Sequence, residues 1–211
     1  MEERAQLAEG LARMGLDVDE AIQAKLLQFL QLMRKWNRVY NLTSRRDMDN
    51  MVARHLLDSL ALLPYLNGSR LVDVGSGAGL PSIPLALVCP DRQFVSLDCV
   101  AKKGCFRTQA AIELGLDNLQ VVTSRVEDYR PEARFDSVIS RAFATVADML
   151  SVSGHLLAPA GRCLAMKGVY PEAELACLPE PYRVEVVHEL HVPYLNAERH
   201  LVIVTPKPTA K

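Results

Sequence analysis

Apolar residues in the first third of the chain recur every three or four positions. Between Ala21 and Tyr40 they fall at Ile22, Leu26, Phe29, Leu30, Met33, Trp36 and Tyr40. That is one face of an amphipathic helix, with Asp17 or Asp19 placed to cap its start. A second stripe, Met51, Val52, Leu56, Leu60 and Leu63, predicts a helix over about 48–66 that Gly68 would stop. Residues 1–68 therefore read as helical.

From Arg70 the pattern changes. Short β-branched runs at Arg70–Val74, Gln93–Leu97, Leu119–Val122, Phe135–Ser140 and Arg162–Met166 alternate with helical stretches at Pro81–Cys89, Lys102–Leu114 and Thr145–Leu157. Gly115 closes the second of these. Strand, helix, strand at this rhythm makes βαβ units and an α/β fold whose parallel sheet is covered on both faces. After Gly168 the rhythm breaks. Tyr182–Val192 and His200–Thr205, joined by Pro193–Arg199, predict an antiparallel pair at the sheet edge, and Pro206–Lys211 reads as a loose tail. The expected organisation is an N-terminal helical cap over 1–68 on a core over 69–211, together one compact unit.

Composition narrows the class. A chain of 211 residues, 49% hydrophobic and 23% charged, is neither disordered nor fibrous and is long enough to bury a core. No run reaches the roughly 18 apolar residues of a membrane span. The start, MEERAQLAEG, lacks the basic and apolar regions of a secretory signal, so a cytoplasmic protein is expected. Five cysteines without a CxxC pair predict buried or half-buried thiols in a reducing compartment and no metal site.

A net charge of −1 argues against gripping nucleic acid over the whole surface but leaves room for a local basic face. Arg34, Lys35, Arg38, Arg45, Arg46 and Arg54 cluster in the helical front, and Lys102, Lys103 and Arg107 on the core. Asp47, Asp49 and Asp58 interrupt them, and solvated helix faces account for most of these charges.

The chemistry concentrates in Leu71-Val-Asp-Val-Gly-Ser-Gly-Ala-Gly-Leu80. A strand ends at Val74; Gly75, Ser76, Gly77 and Gly79 form a turn; a helix follows. Glycines at the carboxyl end of the first parallel strand permit positive φ and a close backbone approach to a nucleotide-like ligand. A dinucleotide fingerprint would need Gly or Ala where Leu80 stands. The GxGxG spacing after an acidic residue, Asp73, instead resembles S-adenosylmethionine-dependent methyltransferases. Pro81 and Pro84 remove two N–H donors from the helix start, which suits a ligand without phosphates. Asp98, 23 residues after Gly75 at the end of the second strand, can accept hydrogen bonds from both ribose hydroxyls or cap the Lys102 helix. Val126 and Glu127, after the third strand, can contact an adenine, and Arg141 ends the fourth strand, where a methyl donor would meet its acceptor.

Seven runs carry a more specific resemblance. Trp36-Asn-Arg-Val-Tyr-Asn-Leu-Thr-Ser44, Arg54-His-Leu-Leu-Asp-Ser59, Val72–Pro81, Ser124-Arg-Val-Glu127, Ile139-Ser-Arg-Ala-Phe-Ala144, Met166-Lys-Gly168 and Glu198-Arg-His-Leu-Val202 follow in order across residues 20–205. Together they resemble the bacterial glucose-inhibited division protein B family of small-subunit (16S) rRNA guanine-N7 methyltransferases. The resemblance implies a Rossmann-like class I S-adenosylmethionine-dependent methyltransferase fold with an N-terminal helical extension and antiparallel edge strands. It implies cofactor contacts from Gly75, Gly77, Leu80, Asp98, Val126, Glu127 and Arg141. It further implies RNA-side or catalytic roles for Asn41, His55, Arg125, Arg141, Lys167 and Arg199. The implied partner is small-subunit ribosomal RNA or the 30S subunit, and a monomer is expected.

Two positions depart from that pattern. After the acidic residue the chain has Lys102-Lys103 and Phe106-Arg107 where Lys-Arg and Phe-Leu are usual, and Ser82 stands where Gly is common. Neither is expected to touch the glycine turn. Guanine N7 carries a lone pair and no proton, so its methylation needs no general base, and rate should come from in-line positioning. Arg141 is the first candidate to engage O6 or a phosphate. Three other readings stay open: a methyltransferase acting on a small molecule or protein, a nicotinamide-dependent oxidoreductase, and a noncatalytic ribosome-binding module with a retained pocket.

Overall fold

The structure, a computed structural model, describes residues 2–44, 48–141 and 143–207. Arg45, Arg46, Asp47, Ala142 and residues 208–211 lie outside it, and with them part of the basic front and most of the expected tail.

Seven strands form one sheet: β1 (Arg70–Val74), β2 (Gln93–Asp98), β3 (Leu119–Thr123), β4 (Phe135–Ser140), β5 (Leu157–Lys167), β6 (Tyr182–Glu189) and β7 (His200–Pro206). Their order is β3-β2-β1-β4-β5-β7-β6. The first five pair in parallel, and β7 runs antiparallel to both β5 and β6. Side chains alternate across the sheet: Leu71, Leu201 and Ile203 join an apolar cluster on one face, while Val72, Val74, Val202 and Val204 join another on the opposite face. This is the two-sided burial that continuous apolar strands predict.

On the first face lie α1 (Glu3–Arg13), α2 (Glu20–Tyr40), α3 (Ser82–Val88) and α4 (Ala101–Leu114). Leu7, Leu26, Phe29 and Leu56 share one cluster with Leu71, Ile83 and Phe106, so residues from 1–68 and from the sheet build a common core. Trp36 and Phe29 of α2 meet Phe106 of α4 ring to ring, at 5.6 and 6.1 Å. The opposite face is covered by α5 (Val146–Ser153), whose N-cap Thr145 accepts the Asp148 N–H at 3.0 Å, as such a cap should. A short α6 (Glu172–Leu175) precedes β6.

Several expectations need correction. The second amphipathic helix is instead a π-helical segment, Val52–Leu57, running into one α-turn, Asp58–Leu60. From Met51 to Leu62 every residue except Arg54 is buried, so the three-four stripe was one part of an all-round apolar surface. α1 crosses it so closely that a Cβ on Gly10 would lie 2.4 Å from Leu57 Cδ1. Gly68 does not stop that helix. It takes φ +67° just before β1, where a side chain would collide with the Asp136 carboxylate that caps the N–H groups of Ser69 and Arg70. β5 starts five residues early: Leu157 pairs with Phe135, four residues bulge out, and the ladder resumes at Arg162. Pro206, expected in the tail, completes β7 opposite Tyr182, and Lys207 donates its N–H to Pro181, so both are held at the sheet edge. Cys99, Cys105 and Cys177 are exposed; only Cys163 is fully buried, its thiol pushed up to about 12 by desolvation.

Candidate active site

The glycine turn leaves β1 with φ of +72° at Gly75, +56° at Gly77 and +84° at Gly79. An L-residue resists all three values, which is why glycine recurs here. A Cβ on Gly79 would in addition strike Ile83 at 2.4 Å, whereas one on Gly77 would meet nothing nearer than 3.8 Å. Gly79 therefore serves the packing of α3, and Gly77 serves the path of the backbone.

Around Gly77 the turn is held by charged groups. Asp98 Oδ2 accepts the Gly77 N–H at 2.9 Å, and its Oδ1 accepts the Val100 N–H at 2.8 Å, at the N-cap of α4. The capping role and a ligand role coexist, because each carboxylate oxygen retains a lone pair. Arg107 donates from Nη1 to the Gly77 carbonyl at 3.0 Å and from Nη2 to the Val122 carbonyl at 3.1 Å. It is wholly buried. Burial pulls its guanidinium below the ordinary value, and Asp98 and Asp73 pull it back. The expectation that neither departure position touches the turn is thus overturned for Arg107. Counted among surface charges, it lies inside instead, the turn's carbonyl and the end of β3 replacing its water.

Asp73 occupies a different place from the one its sequence neighbours suggest. Its carboxyl is buried beneath the turn, where Oδ2 accepts the Ser82 N–H at 3.1 Å. Desolvation pushes it up to about 7, against the Ser82 hydrogen bonds and the charges of Arg141 and Arg107. Ser82, the second departure, is also fully buried and donates from Oγ to Ser96 Oγ at 3.0 Å.

Two cavities meet at Gly75. One, of about 220 Å³, is lined by Asp98, Cys99, Ser124, Arg125, Val126, Glu127, Phe143 and Val152. Apolar walls with two carboxylates, Asp98 and Glu127, suit the adenosine of S-adenosylmethionine, so the residues fit the expected cofactor. The other, of about 240 Å³, is lined by Ser76, Gly77, Ala78 and Leu80 of the turn together with Leu42, Thr43, Arg54, His55, Asp58, Arg141 and Arg199. Beside it a third hollow of about 270 Å³ shares Asp58, Arg141 and Arg199 and adds Met166, Lys167 and Gly168.

Asp58 organises this mouth. Its side chain is 4% exposed; Oδ2 accepts Arg141 Nη1 at 2.9 Å and Oδ1 accepts Arg199 Nε at 2.8 Å. Lys167 pairs with Glu174 at 2.9 Å and donates to the Ala144 carbonyl at 2.6 Å. His55 is buried, with Nε2 3.5 Å from Thr43 Oγ1. The fold thus brings Arg141, His55, Lys167 and Arg199 together from four separate regions. Asn41 stands apart: it ends α2 in the left-handed conformation (φ +48°), exposed, while Leu42 and Thr43 reach the cavity. Arg125 lies on the adenosine side, away from the mouth. The site residues missed by sequence reasoning are Asp58 and Arg107. The first was visible as the residue three after His55, on the same helical face; nothing in the pattern distinguished the second from a surface charge.

A larger hollow of about 730 Å³, between Arg13 and the 189–199 connection, shares Arg199 with the mouth. No group of three or more metal-ligating side chains occurs among the described residues. No helix among them is long and apolar enough to cross a membrane.

Comparison with known proteins agrees with this geometry. The family model described as rRNA small subunit methyltransferase G matches residues 22–202. The chain is 57% identical to the ribosomal RNA small subunit methyltransferase G of Aromatoleum aromaticum, over 94% of this chain and 97% of that one. It is 50% identical to the protein of the same name from Neisseria meningitidis strain FAM18, over 98% and 100%. Among solved structures it is similar to a SAM-dependent methyltransferase from Aquifex aeolicus, with TM-score 0.60 and 17% identity over 80% of this chain and 97% of that one. It is likewise similar to the O-methyltransferase TomG from Streptomyces achromogenes in complex with SAM, with TM-score 0.58 and 16% identity over 99% and 100%.

Proposed function

The chain belongs to the rRNA small subunit methyltransferase G family, and from that premise we propose that it methylates N7 of a guanine in small-subunit (16S) ribosomal RNA. The carrying observation is the junction at Gly75, where a carboxylate-bearing apolar cavity opens onto a cationic mouth. S-adenosylmethionine supplies an electrophilic methyl group when bound. Asp98 and the Val126–Glu127 turn would hold its adenosine, and the Gly75–Gly77 backbone its amino-acid end.

The remaining work falls to the mouth. Arg54, Arg141, Lys167 and Arg199 line it; Asp58 pairs with two of them and Glu174 with Lys167, which leaves more cations than carboxylates and favours a polyanion. Asp58 takes one donor from each of two guanidinium groups and the Glu198 carbonyl takes Nη1 of Arg199 at 2.9 Å, leaving Nη2 of each arginine to reach guanine O6 or a phosphate. A donor on N7 itself would occupy the reacting lone pair. Because N7 has no proton to lose, His55 is assigned to shaping the pocket with Thr43 and not to proton transfer. A small molecule or protein acceptor would have no need of this cationic mouth, and Leu80 argues against a nicotinamide cofactor. The enzyme would act in the cytoplasm, as a monomer, on the RNA or on the 30S subunit.

The deciding experiment transfers labelled methyl from S-adenosylmethionine to small-subunit rRNA and digests the product. Label at guanine N7 is expected. Label confined to protein, or to another base, would overturn the reading.

A further inference from the structure

The central residue of the glycine turn is gripped on its two flanking peptide groups by opposite charges. Gly77 gives its N–H to Asp98 at 2.9 Å and receives on its carbonyl the Nη1 of Arg107 at 3.0 Å. The other arm of the same guanidinium reaches Val122 of β3 at 3.1 Å. Two residues beyond Val122 begin Ser124–Glu127, the far wall of the adenosine cavity. One buried side chain therefore ties the turn under the cofactor's amino-acid end to the strand that carries its adenine wall. Gly104 makes room for the link: it lets α4 approach β3 so closely that a Cβ there would lie 2.3 Å from Thr123 Oγ1 and 3.8 Å from Arg107 Nη2.

We infer that Arg107 is a positioning residue for S-adenosylmethionine, fixing the gap between the glycine turn and the end of β3 into which the cofactor fits. A planar fork with a fixed spread between its donors suits this task, since each arm satisfies a different carbonyl and neither can move alone. A leucine here would fill the space without linking the two carbonyls. Solvated lysines cannot substitute, because Arg107 is fully buried and reaches both carbonyls from within.

This inference rests on the placement of the cofactor in the two cavities that meet at Gly75. Its test is calorimetric binding of S-adenosylmethionine and of S-adenosylhomocysteine to wild type, Arg107→Met and Arg107→Lys, alongside rRNA methylation at saturating cofactor. Arg107→Met keeps much of the volume but leaves both carbonyls without their donor. Its dissociation constants for both ligands should rise about tenfold or more, with kcat at saturating cofactor changed less than threefold and the KM for RNA unchanged. Arg107→Lys, with the charge but not the fork, should recover part of the affinity. Wild-type affinity in folded Arg107→Met, or a loss in kcat with unchanged binding, would overturn the inference. If Arg107→Met does not fold, Arg107→Lys decides: affinity equal to wild type overturns it, and a loss confined to cofactor binding supports it. Failure of the wild-type protein itself to bind either ligand would instead remove the cofactor-site reading on which this rests.

Discussion

Arg141 donates from Nη1 to Oδ2 of Asp58 at 2.9 Å, joining the end of β4 to the turn that follows the π-helical segment. Asp58 is nearly sealed from solvent and Arg141 is about one-quarter exposed. Removing Arg141 leaves the buried Asp58 with one cation, Arg199 at 2.8 Å, instead of two, so the loss of stability should stay below about 3–5 kcal/mol, the cost typical of a buried charge left wholly unpaired. Arg141→Ala should thus lose turnover by roughly tenfold to a thousandfold, the order expected for one positioned donor, and should also lose thermal stability. The double variant Asp58→Asn with Arg141→Ala should regain much of the stability but none of the activity. Full activity in a stable Arg141→Ala protein would remove Arg141 from the mechanism.

At Gly77 the obstacle to a side chain is its backbone angle, φ +56°, since the space beside it is open to 3.8 Å. Gly77→Val should weaken S-adenosylmethionine binding at least tenfold, about 1.4 kcal/mol, by forcing the turn out of shape. Calorimetry checks this, and an unchanged affinity would mean that the turn does not hold the cofactor.

Cys99 lines the adenosine cavity next to Asp98 and is exposed. A maleimide should label it readily in the free protein, and saturating S-adenosylhomocysteine should slow that labelling at least fivefold while leaving Cys177 unaffected. Mass spectrometry of the two peptides reads both rates. Equal protection at both positions, or at neither, would count against this cavity as the adenosine site.

Asp73 predicts a pH dependence. Its carboxyl titrates at about 7 in the folded chain, against an ordinary value of 3.8, because burial disfavours its charge. The folded protein then binds a proton that the unfolded chain has released, so this residue's contribution to stability falls as pH rises from about 4 towards 7 and levels off above. Between pH 6 and pH 8 the loss should be on the order of 1 kcal/mol. Thermal denaturation at the two pH values should show a smaller drop in Asp73→Asn than in wild type; equal drops would mean that Asp73 is ionised throughout.

Salt separates the two ligands. If Arg199 meets phosphate, rRNA methylation should fall with salt more steeply than cofactor binding, and Arg199→Gln should reduce the logarithmic slope by about one. An unchanged slope would confine Arg199 to its bond with Asp58.

The strands, their alternation and the glycine turn were legible because each obeys a local rule: period two, β-branched residues, positive φ at glycine. The Gly115 stop was legible for the same reason. What escaped depends on three-dimensional surroundings. Arg107 sits among Lys102, Lys103 and Gln109 in a helix that looks amphipathic, and only the approach of β3 through Gly104 converts it from a surface charge to a buried link. Asp58 looked like an interruption in a basic stretch until β4 and the start of β7 brought it two arginines. The π-helical turn left no trace, because an apolar segment buried all round satisfies either helical period.

The antiparallel direction of β7 has a consequence for the order in which the site is completed. Because β7 runs against β5, it is its beginning, next to Arg199, that lies beside the end of β5 at Lys167. On a chain made from its N-terminus, Asp58 emerges early and waits through some 140 further residues for its second cation, the two being 141 positions apart. Until then a nearly buried carboxylate has one partner instead of two, and the cationic mouth lacks a wall. The nascent chain can build its glycine turn and the cavity beyond it well before it can close the mouth, so competence waits for the strand that follows Arg199.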